Sequence, residues 1–118
     1  MNKITKEEIL EILNTANLEN VLLFDSEGKL VESSGFQYDK NFAAMNGVLA
    51  TMCTEMIAEL EYGELQKVMI QASTGLVLLN KVNKDYYIAS FTKDISKIGI
   101  LMKTVDTLIN NITPQINK

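Results

Sequence analysis

The chain has 118 residues, a formal net charge of −4 and 47% hydrophobic residues. This length predicts one domain, residues 1–118, that is large enough to bury a core. The sequence has no His and no Trp, all 11 of its basic residues are Lys, and it has one Cys. These absences exclude a Ser–His–Asp or Cys–His nucleophile pair, a zinc site built on His or on several thiolates, and an arginine finger. The negative charge argues against nucleic acid as a partner.

Targeting and membrane signals are also missing. No apolar run approaches the roughly 18 residues of a membrane span, so we expect no transmembrane segment. The first ten residues, MNKITKEEIL, lack the apolar core of a signal peptide. A single Cys cannot form a disulfide within the chain, which favours a cytoplasmic location. We therefore expect a cytoplasmic protein that is not an enzyme, with no catalytic residue, no metal and no cofactor.

The first quarter of the chain predicts a helix followed by a β-hairpin. Thr5 and Glu8 have the spacing of a capping box, and apolar residues then repeat at helical spacing to about Thr15. An apolar run over Val21–Phe24 is followed by a turn that contains Gly28. A second short run ends near Ser34, so the two runs are predicted to pair as antiparallel strands.

A long helix is predicted from Asp39, as its N-cap, to Gly63, just beyond its C-terminus. Placed at 100° per residue, this helix has two apolar faces rather than one. The first face carries large side chains: Met45, Val48, Leu49, Met52, Cys53, Met56 and Leu60. The second is a strip of small residues, with Ile57 at the border between the two faces: Ala43, Gly47, Ala50, Thr54 and Ala58.

Two interpretations of the second face are open. The helix is either central in a monomer and flanked on both sides by its own chain, or it packs one face on a sheet and the other on a second subunit. Small side chains let two helix backbones approach closely, so the strip Ala43, Gly47, Ala50 and Thr54, with Ile57, is the predicted protomer contact. Gly47 supports a packing reason, because Gly inside a helix costs about 1 kcal/mol relative to Ala.

The end of the long helix is acidic. Carboxylates near a helix C-terminus oppose the helix dipole. The segment is either a solvated end or an acidic patch for a basic partner surface. The residues of this possible partner patch are Glu55, Glu59, Glu61 and Glu64.

The second half predicts three strands and a last helix. The strands Gln66–Ala72, Leu76–Val82 and Tyr86–Phe91 are joined by turns so short that neighbours must be antiparallel. An amphipathic helix follows Asp94, its predicted N-cap, and Pro114 is predicted to lie beyond its end. The order α-β-β-α-β-β-β-α predicts an α+β fold.

This order, with these lengths, resembles the roadblock/dynein light chain family. The resemblance rests on the hairpin VLLFDSEGKLVESS, the Ala- and Met-rich helix ending in EYG, and the segments VMIQASTGLVLLNKV, YYIASF and ISKIGILMKTV. It implies a profilin-like, five-stranded antiparallel sheet with the long helix on one face and the two outer helices on the other. It also implies a homodimer in which the second helices pack together and the third strands pair. That pairing adds Gln66, Val68, Met69 and Ile70 to the predicted interface.

The resemblance implies a non-catalytic regulator or binding platform for a small Ras-like GTPase. Without Arg, the chain is limited to activation that repositions groups the GTPase already carries. The alternative is a scaffold subunit of a larger complex, as a homodimer or as a heterodimer with another roadblock protein. A third hypothesis is a small-molecule sensor with a pocket lined by Met45, Met52, Met56 and Tyr86, since Met suits adaptable cavities.

Overall fold

The computed structural model describes the backbone of residues 4–116 and the side chains of residues 4–112. The element order is the predicted one, which confirms the α+β class. The elements are α1 (Lys6–Thr15), β1 (Asn20–Asp25), β2 (Leu30–Ser33), α2 (Asp39–Glu59), β3 (Lys67–Ala72), β4 (Gly75–Lys81), β5 (Tyr86–Thr92) and α3 (Ile98–Ile116). None of the helices in residues 4–116 combines the length and the apolarity needed to cross a membrane.

The five strands form one antiparallel sheet in the order β2-β1-β5-β4-β3. β3 therefore lies at one edge, as the resemblance implies, and the more apolar β4 lies inside the sheet. The turn between these two strands has two residues, because Ala72 pairs directly with Gly75. Such a short turn leaves no freedom in the β3–β4 register.

A separate core fills each face of the sheet. In β1, Leu23 packs with Ile9 of α1 and Val105 of α3, whereas Leu22 packs with Ala43 of α2. The continuous apolar run of β1 is explained by this burial on both faces. The predicted arrangement, with α2 on one side and the two outer helices on the other, is confirmed.

The predicted N-terminus of α1 is confirmed in atomic detail. The Glu8 N–H donates to Thr5 Oγ1 at 3.2 Å, and the Thr5 N–H donates to Glu8 Oε1 at 3.0 Å. Two of the unpaired donors at the helix start are thereby satisfied reciprocally. Ile4 and Ile9 on either side of the cap are both buried.

The predicted ends of α2 are wrong. Tyr38, at φ 64°, occupies the N-cap without a side-chain cap bond. Asp39 is the first residue of the helix instead. Its carboxylate accepts a hydrogen bond from Ser33 Oγ at 2.7 Å and does not cap the helix. At the other end the C-cap is Leu60, and Glu61 follows it in the left-handed conformation at φ 58°, so the helix has already ended before Gly63.

The predicted ends of α3 are also wrong. Asp94 is not the N-cap, because its Oδ1 accepts from the Ser96 N–H at 3.0 Å and from Ser96 Oγ at 2.6 Å, in a turn ahead of the helix. These bonds lower the pKa of Asp94 below its usual range. The helix begins four residues later, at Ile98, and continues through Pro114 to Ile116.

Candidate interaction surface on the second helix and the edge strand

The small strip of α2 faces its own sheet. Ala43 and Ala50 are 0% and 2% exposed and belong to the core beneath the helix. A Cβ added to Gly47 would lie 2.6 Å from the Cα of Gly28, in the β1–β2 turn. Gly28 itself has a φ of +82°, which L side chains rarely adopt. The backbone of α2 therefore crosses the hairpin turn at a distance that leaves no room for a side chain.

This packing corrects the predicted faces of α2. Ala43, Gly47 and Ala50 are buried within the protomer, so the prediction that they meet a second subunit places them on the wrong side of the helix. Small residues suit a close approach to the chain's own hairpin as well as to a second helix, and the sequence pattern does not distinguish the two. At the end of the strip, Thr54 is exposed and Ile57 is half-buried.

The large side chains of α2 point outward instead. Met45 is 63% exposed and Met52 is 62% exposed. We call this row the methionine stripe; its members are Met45, Val48, Met52, Met56 and Leu60. The stripe runs for about 22 Å along the helix at 1.5 Å per residue. Contiguous exposed apolar surface of this kind marks interaction sites on soluble proteins. The sequence pattern identifies these residues as apolar but does not show that they are exposed.

An apolar groove connects the stripe to the edge of the sheet. The helix packs mainly on β1 and β2, which leaves β3 and β4 partly uncovered. The resulting groove has a volume of about 240 Å³ and includes Met45 on one wall and Ile70 on the other. Aromatic rings of Phe42 and Phe91, with centroids 5.9 Å apart, form part of its lining. The methionine stripe and β3 therefore belong to one continuous surface.

β3 is the less protected edge of the sheet. It has six residues, contains no Pro and pairs with β4 without a bulge. The opposite edge, β2, has four residues, and a register shift leaves Val31 outside the pairing with β1. Short strands and bulges hinder the addition of another strand, so β3 is the edge that remains open to one. Its side chains Met69 and Ile70 are 46% and 43% exposed.

The other predicted interface residues lie beside this edge. Gln66 is exposed just before β3, and Val68 is half-buried on the side of α2. The structure thus places Gln66, Val68, Met69 and Ile70 together along one edge. It separates them from the buried part of the small strip.

The acidic residues at the end of α2 are all exposed. Among residues 4–112, the ion pairs are Lys67–Asp106 and Lys93–Glu19, and neither involves these acids. Their charge is therefore not neutralised by an ion pair within that part of the chain. The group consists of Glu55, Glu59, Glu61 and Glu64.

The four residues of the predicted sensor pocket do not converge. Met52 and Met56 are exposed on α2, whereas Tyr86 packs in the core on the opposite face of the sheet. The sheet lies between them, so they cannot line one cavity. The prediction of a pocket built from these residues is wrong.

A polar cleft of about 430 Å³ lies on the side of α3. Asp106 of α3 lines this cleft together with Lys67 and Asn80. One of its carboxylate oxygens lies 2.6 Å from Lys67 Nζ, and the other accepts from Asn80 Nδ2 at 3.0 Å. This arrangement ties the first residue of the edge strand to α3. It also directs the Lys67 side chain toward α3.

No protein-family model matches the sequence, and no curated protein matches it significantly. Solved structures do match. A Roadblock/LC7 domain from Streptomyces avermitilis superposes with a TM-score of 0.86 at 11% identity, covering 98% of this chain and 100% of that one. MglB of Myxococcus xanthus superposes with a TM-score of 0.83 at 14% identity, covering 91% of this chain and 89% of that one.

The chain has the roadblock fold. The fold predicted from the resemblance is thereby confirmed. Profilin IA of Acanthamoeba castellanii matches less closely, with a TM-score of 0.64 at 12% identity, covering 93% of this chain and 97% of that one. The roadblock fold of this chain is therefore also profilin-like, as predicted.

Proposed function

We propose that this chain is a homodimeric, non-catalytic binding platform for a small Ras-like GTPase. The observation that carries the proposal is the exposed methionine stripe, together with the groove that joins it to the open edge of β3. The roadblock fold, which the chain has in common with MglB, supports the link to a GTPase. The surface is an interaction surface rather than a reaction centre, because its exposed members are almost all apolar.

The shape of this surface supports the homodimer. A ridge of large, flexible side chains lies beside an apolar groove, so a two-fold axis lets each copy place its ridge against the other copy. Such a contact is self-complementary, as a two-fold interface requires. Met side chains adapt to irregular gaps, which suits a ridge that must pack against its own copy.

The GTPase contact is proposed at the acidic end of α2. The carboxylates of Glu55, Glu59, Glu61 and Glu64 are exposed and fit a basic partner surface. An arginine finger is worth about 10³–10⁵ in the rate of GTP hydrolysis, and this chain has no Arg with which to supply one. Any activation by this chain therefore acts by ordering groups that the GTPase already carries.

The dimer is tested by native mass. Light scattering over a wide range of concentrations should give twice the chain mass of 13.2 kDa, with dissociation only on strong dilution. A mass of one chain at every concentration would overturn the homodimer. A heterodimer with another roadblock protein would then be sought by co-purification from the source cells.

The GTPase contact is tested with the immobilised wild-type chain and a variant with all four glutamates changed to Gln. Extract from the source cells is loaded with GDP or with a non-hydrolysable GTP analogue, and retained GTPases are identified by mass spectrometry. We expect a small GTPase that is retained in one nucleotide state by the wild type and lost with the variant. Retention that is independent of nucleotide, without any change in purified GTP turnover, would favour the scaffold function. Retention of no GTPase would overturn the proposal.

A further inference from the structure

The polar cleft beside α3 is lined by groups of both charges. Its charged residues are three lysines and two acids: Lys67, Lys81, Lys84, Glu64 and Asp106. The cleft has a volume of about 430 Å³, within the range of small-ligand sites. None of the described residues that line it is aromatic, so the cleft offers no ring on which a nucleobase could stack. The lining therefore suits a small, charged ligand rather than a nucleotide.

Asn80 carries a hydrogen-bond acceptor that no described residue uses. The residue is 6% exposed and lines the inner part of the cleft beside Asp106. Its Nδ2 donates to Asp106 Oδ1 at 3.0 Å, whereas its own Oδ1 is closed to solvent and has no hydrogen-bond partner within residues 4–112. Buried acceptors without a partner cost free energy and are few in native proteins. The unused oxygen therefore indicates a place for an N–H donor.

The ion pair beside this oxygen is held weakly. Lys67 lies opposite Asn80 in the β3–β4 ladder, and its Nζ lies 2.6 Å from Asp106 Oδ2. The two paired side chains are 31% and 41% exposed, and ion pairs exposed to this degree contribute little to stability. The Asp106 carboxylate also has lone pairs beyond those that accept from Lys67 and Asn80. A ligand that supplies both charges can therefore exchange with this ion pair.

We propose that the polar cleft binds a free α-amino acid as its zwitterion. Lys67 Nζ moves from Asp106 to the carboxylate of the ligand, which opens the inner part of the cleft. The ammonium group of the ligand then donates to Asp106 and to Asn80 Oδ1. One ion pair is thereby replaced by two, and neither protein side chain is left without an opposite charge. This inference does not rest on the homodimer or on the GTPase contact of the proposed function.

Ligands with a single charge fit this arrangement less well. An anion bound to Lys67 lies beside the Asp106 carboxylate, and like charges in contact repel each other. A cation bound to Asp106 displaces Lys67 and supplies no counter-charge for its ammonium group. The N–H groups of the ligand are needed as well, because the side-chain oxygen of Asn80 accepts hydrogen bonds and cannot donate one. A primary ammonium group and a carboxylate on one small molecule meet all of these requirements.

The site is tested by titration of the ¹⁵N-labelled chain with each of the twenty common amino acids, at constant pH and ionic strength. NMR spectra follow the backbone amides of Lys67 and Asp106 and the side-chain amide of Asn80. We expect at least one amino acid to shift these three signals together in a saturable manner. The absence of a saturable shift with all twenty would overturn the proposal.

Glycine betaine is the matched control ligand. It carries both charges of an amino acid, but its nitrogen bears three methyl groups and no N–H. We expect it to bind at least tenfold more weakly than the amino acid that gives the strongest shifts. Acetate and methylammonium, which each carry only one of the two charges, should also bind at least tenfold more weakly. Equal binding of any of these three compounds would contradict recognition of a zwitterion with N–H donors.

Asn80→Leu removes the unused acceptor and keeps a side chain of similar shape. The Asp106 oxygen that loses its donor is on a side chain that is 41% exposed, so water can replace the lost hydrogen bond. We expect binding of the amino acid to weaken at least tenfold, while backbone signals away from the cleft stay in place. Unchanged binding would overturn the role of Asn80 and with it the proposal.

Lys67→Met is a second variant, which tests the site even if Asn80→Leu fails to fold. It removes the proposed partner of the ligand's carboxylate and should also weaken binding at least tenfold. Lys93→Met is its control, because Lys93 forms the other ion pair, with Glu19 at 3.4 Å, and does not line the cleft. The control should bind as the wild type does. Equal binding by Lys67→Met and the wild type, or an equal loss in both lysine variants, would overturn the proposal.

Discussion

Gly47→Ala tests the close contact on which the position of α2 depends. In an open helix this substitution stabilises by about 1 kcal/mol, because Ala has the higher helix propensity. Here the added Cβ would lie 2.6 Å from Gly28 Cα and 3.0 Å from Gly28 N. Both neighbours are backbone atoms, so no side chain can rotate away, and the cost of overpacking reaches its upper range of about 3 kcal/mol. We expect a net loss of about 2 kcal/mol in the free energy of unfolding.

Gly99→Ala is the matched control for this substitution. Gly99 is also helical, but an added Cβ there would meet no atom of the described residues within 4 Å, apart from those of the adjoining helix backbone and its chain neighbours. It should therefore gain up to about 0.5 kcal/mol, less than the full propensity difference because Gly99 lies in the first turn of α3. Thermal unfolding measures both variants at one fixed protein concentration, since dimer formation would make the midpoint depend on concentration. At about 4 °C per kcal/mol, the two midpoints should differ by roughly 10 °C.

The opposite pattern would refute the reasoning. A Gly47→Ala variant as stable as Gly99→Ala would mean that α2 does not lie tightly on the hairpin turn. If Gly47 instead met a second subunit, the variant would weaken the dimer and would stabilise the isolated protomer by about 1 kcal/mol. Measurement above and below the dissociation constant distinguishes these two cases.

Three smaller predictions concern other parts of the molecule. Met52→Lys should raise the dimer dissociation constant at least about 100-fold in sedimentation experiments. Burial of a Met side chain is worth about 1.5 kcal/mol or more, and a two-fold interface contains this side chain twice. An unchanged dissociation constant would place the methionine stripe outside the interface. Asp106→Asn should raise the dimer dissociation constant about fivefold, because it frees Lys67 to hinder the addition of a strand at the edge of β3. The effect is small, since a half-exposed ion pair is worth less than about 1 kcal/mol. Lys67→Met in addition should restore the constant. The lowered pKa of Asp94 means that its carboxylate stabilises the fold above the ordinary pKa and loses this effect as pH falls through the lowered value. Ser96→Ala should raise that pKa in an NMR titration, and an unmoved value would contradict the assigned hydrogen bonds.

Local signals in the sequence predicted most of the fold. The capping box at Thr5, the hairpin turn at Gly28 and the alternation along β3 each depend on residues close together in the chain. For such features the residue pattern and the backbone geometry are directly related. The short turns then force antiparallel neighbours, which is why the order of elements and the class were both predictable.

The ends of the helices were harder to predict from the sequence, because an Asp side chain near a helix end has several possible hydrogen-bond partners. Asp39 and Asp94 are both of the type preferred at N-caps. Asp39 instead accepts from Ser33 on β2, and Asp94 binds Ser96 in a preceding turn. Short carboxylates bond readily to nearby hydroxyls and amides, so residue type alone does not determine which helix end they cap.

The candidate surface was only partly predictable for a related reason. Helical periodicity shows that α2 has two apolar faces but does not show which of them is buried. That choice depends on the contact between Gly28 and Gly47, which belong to different elements. The edge residues Met69 and Ile70 were identified through the resemblance, whereas the exposure of Met52 and its neighbours becomes visible only in the structure.

One contact in the core therefore positions the whole candidate surface. The close approach of Gly47 to Gly28 draws α2 over β1 and β2, on the side of the sheet away from β3. Because the helix is displaced in this way, β3 and β4 keep an uncovered apolar strip that includes Ile70. A bulkier residue at position 47 would push α2 away from the hairpin and change the shape of the groove beside Met45. The tight core contact and the open groove are thus two consequences of the same helix position.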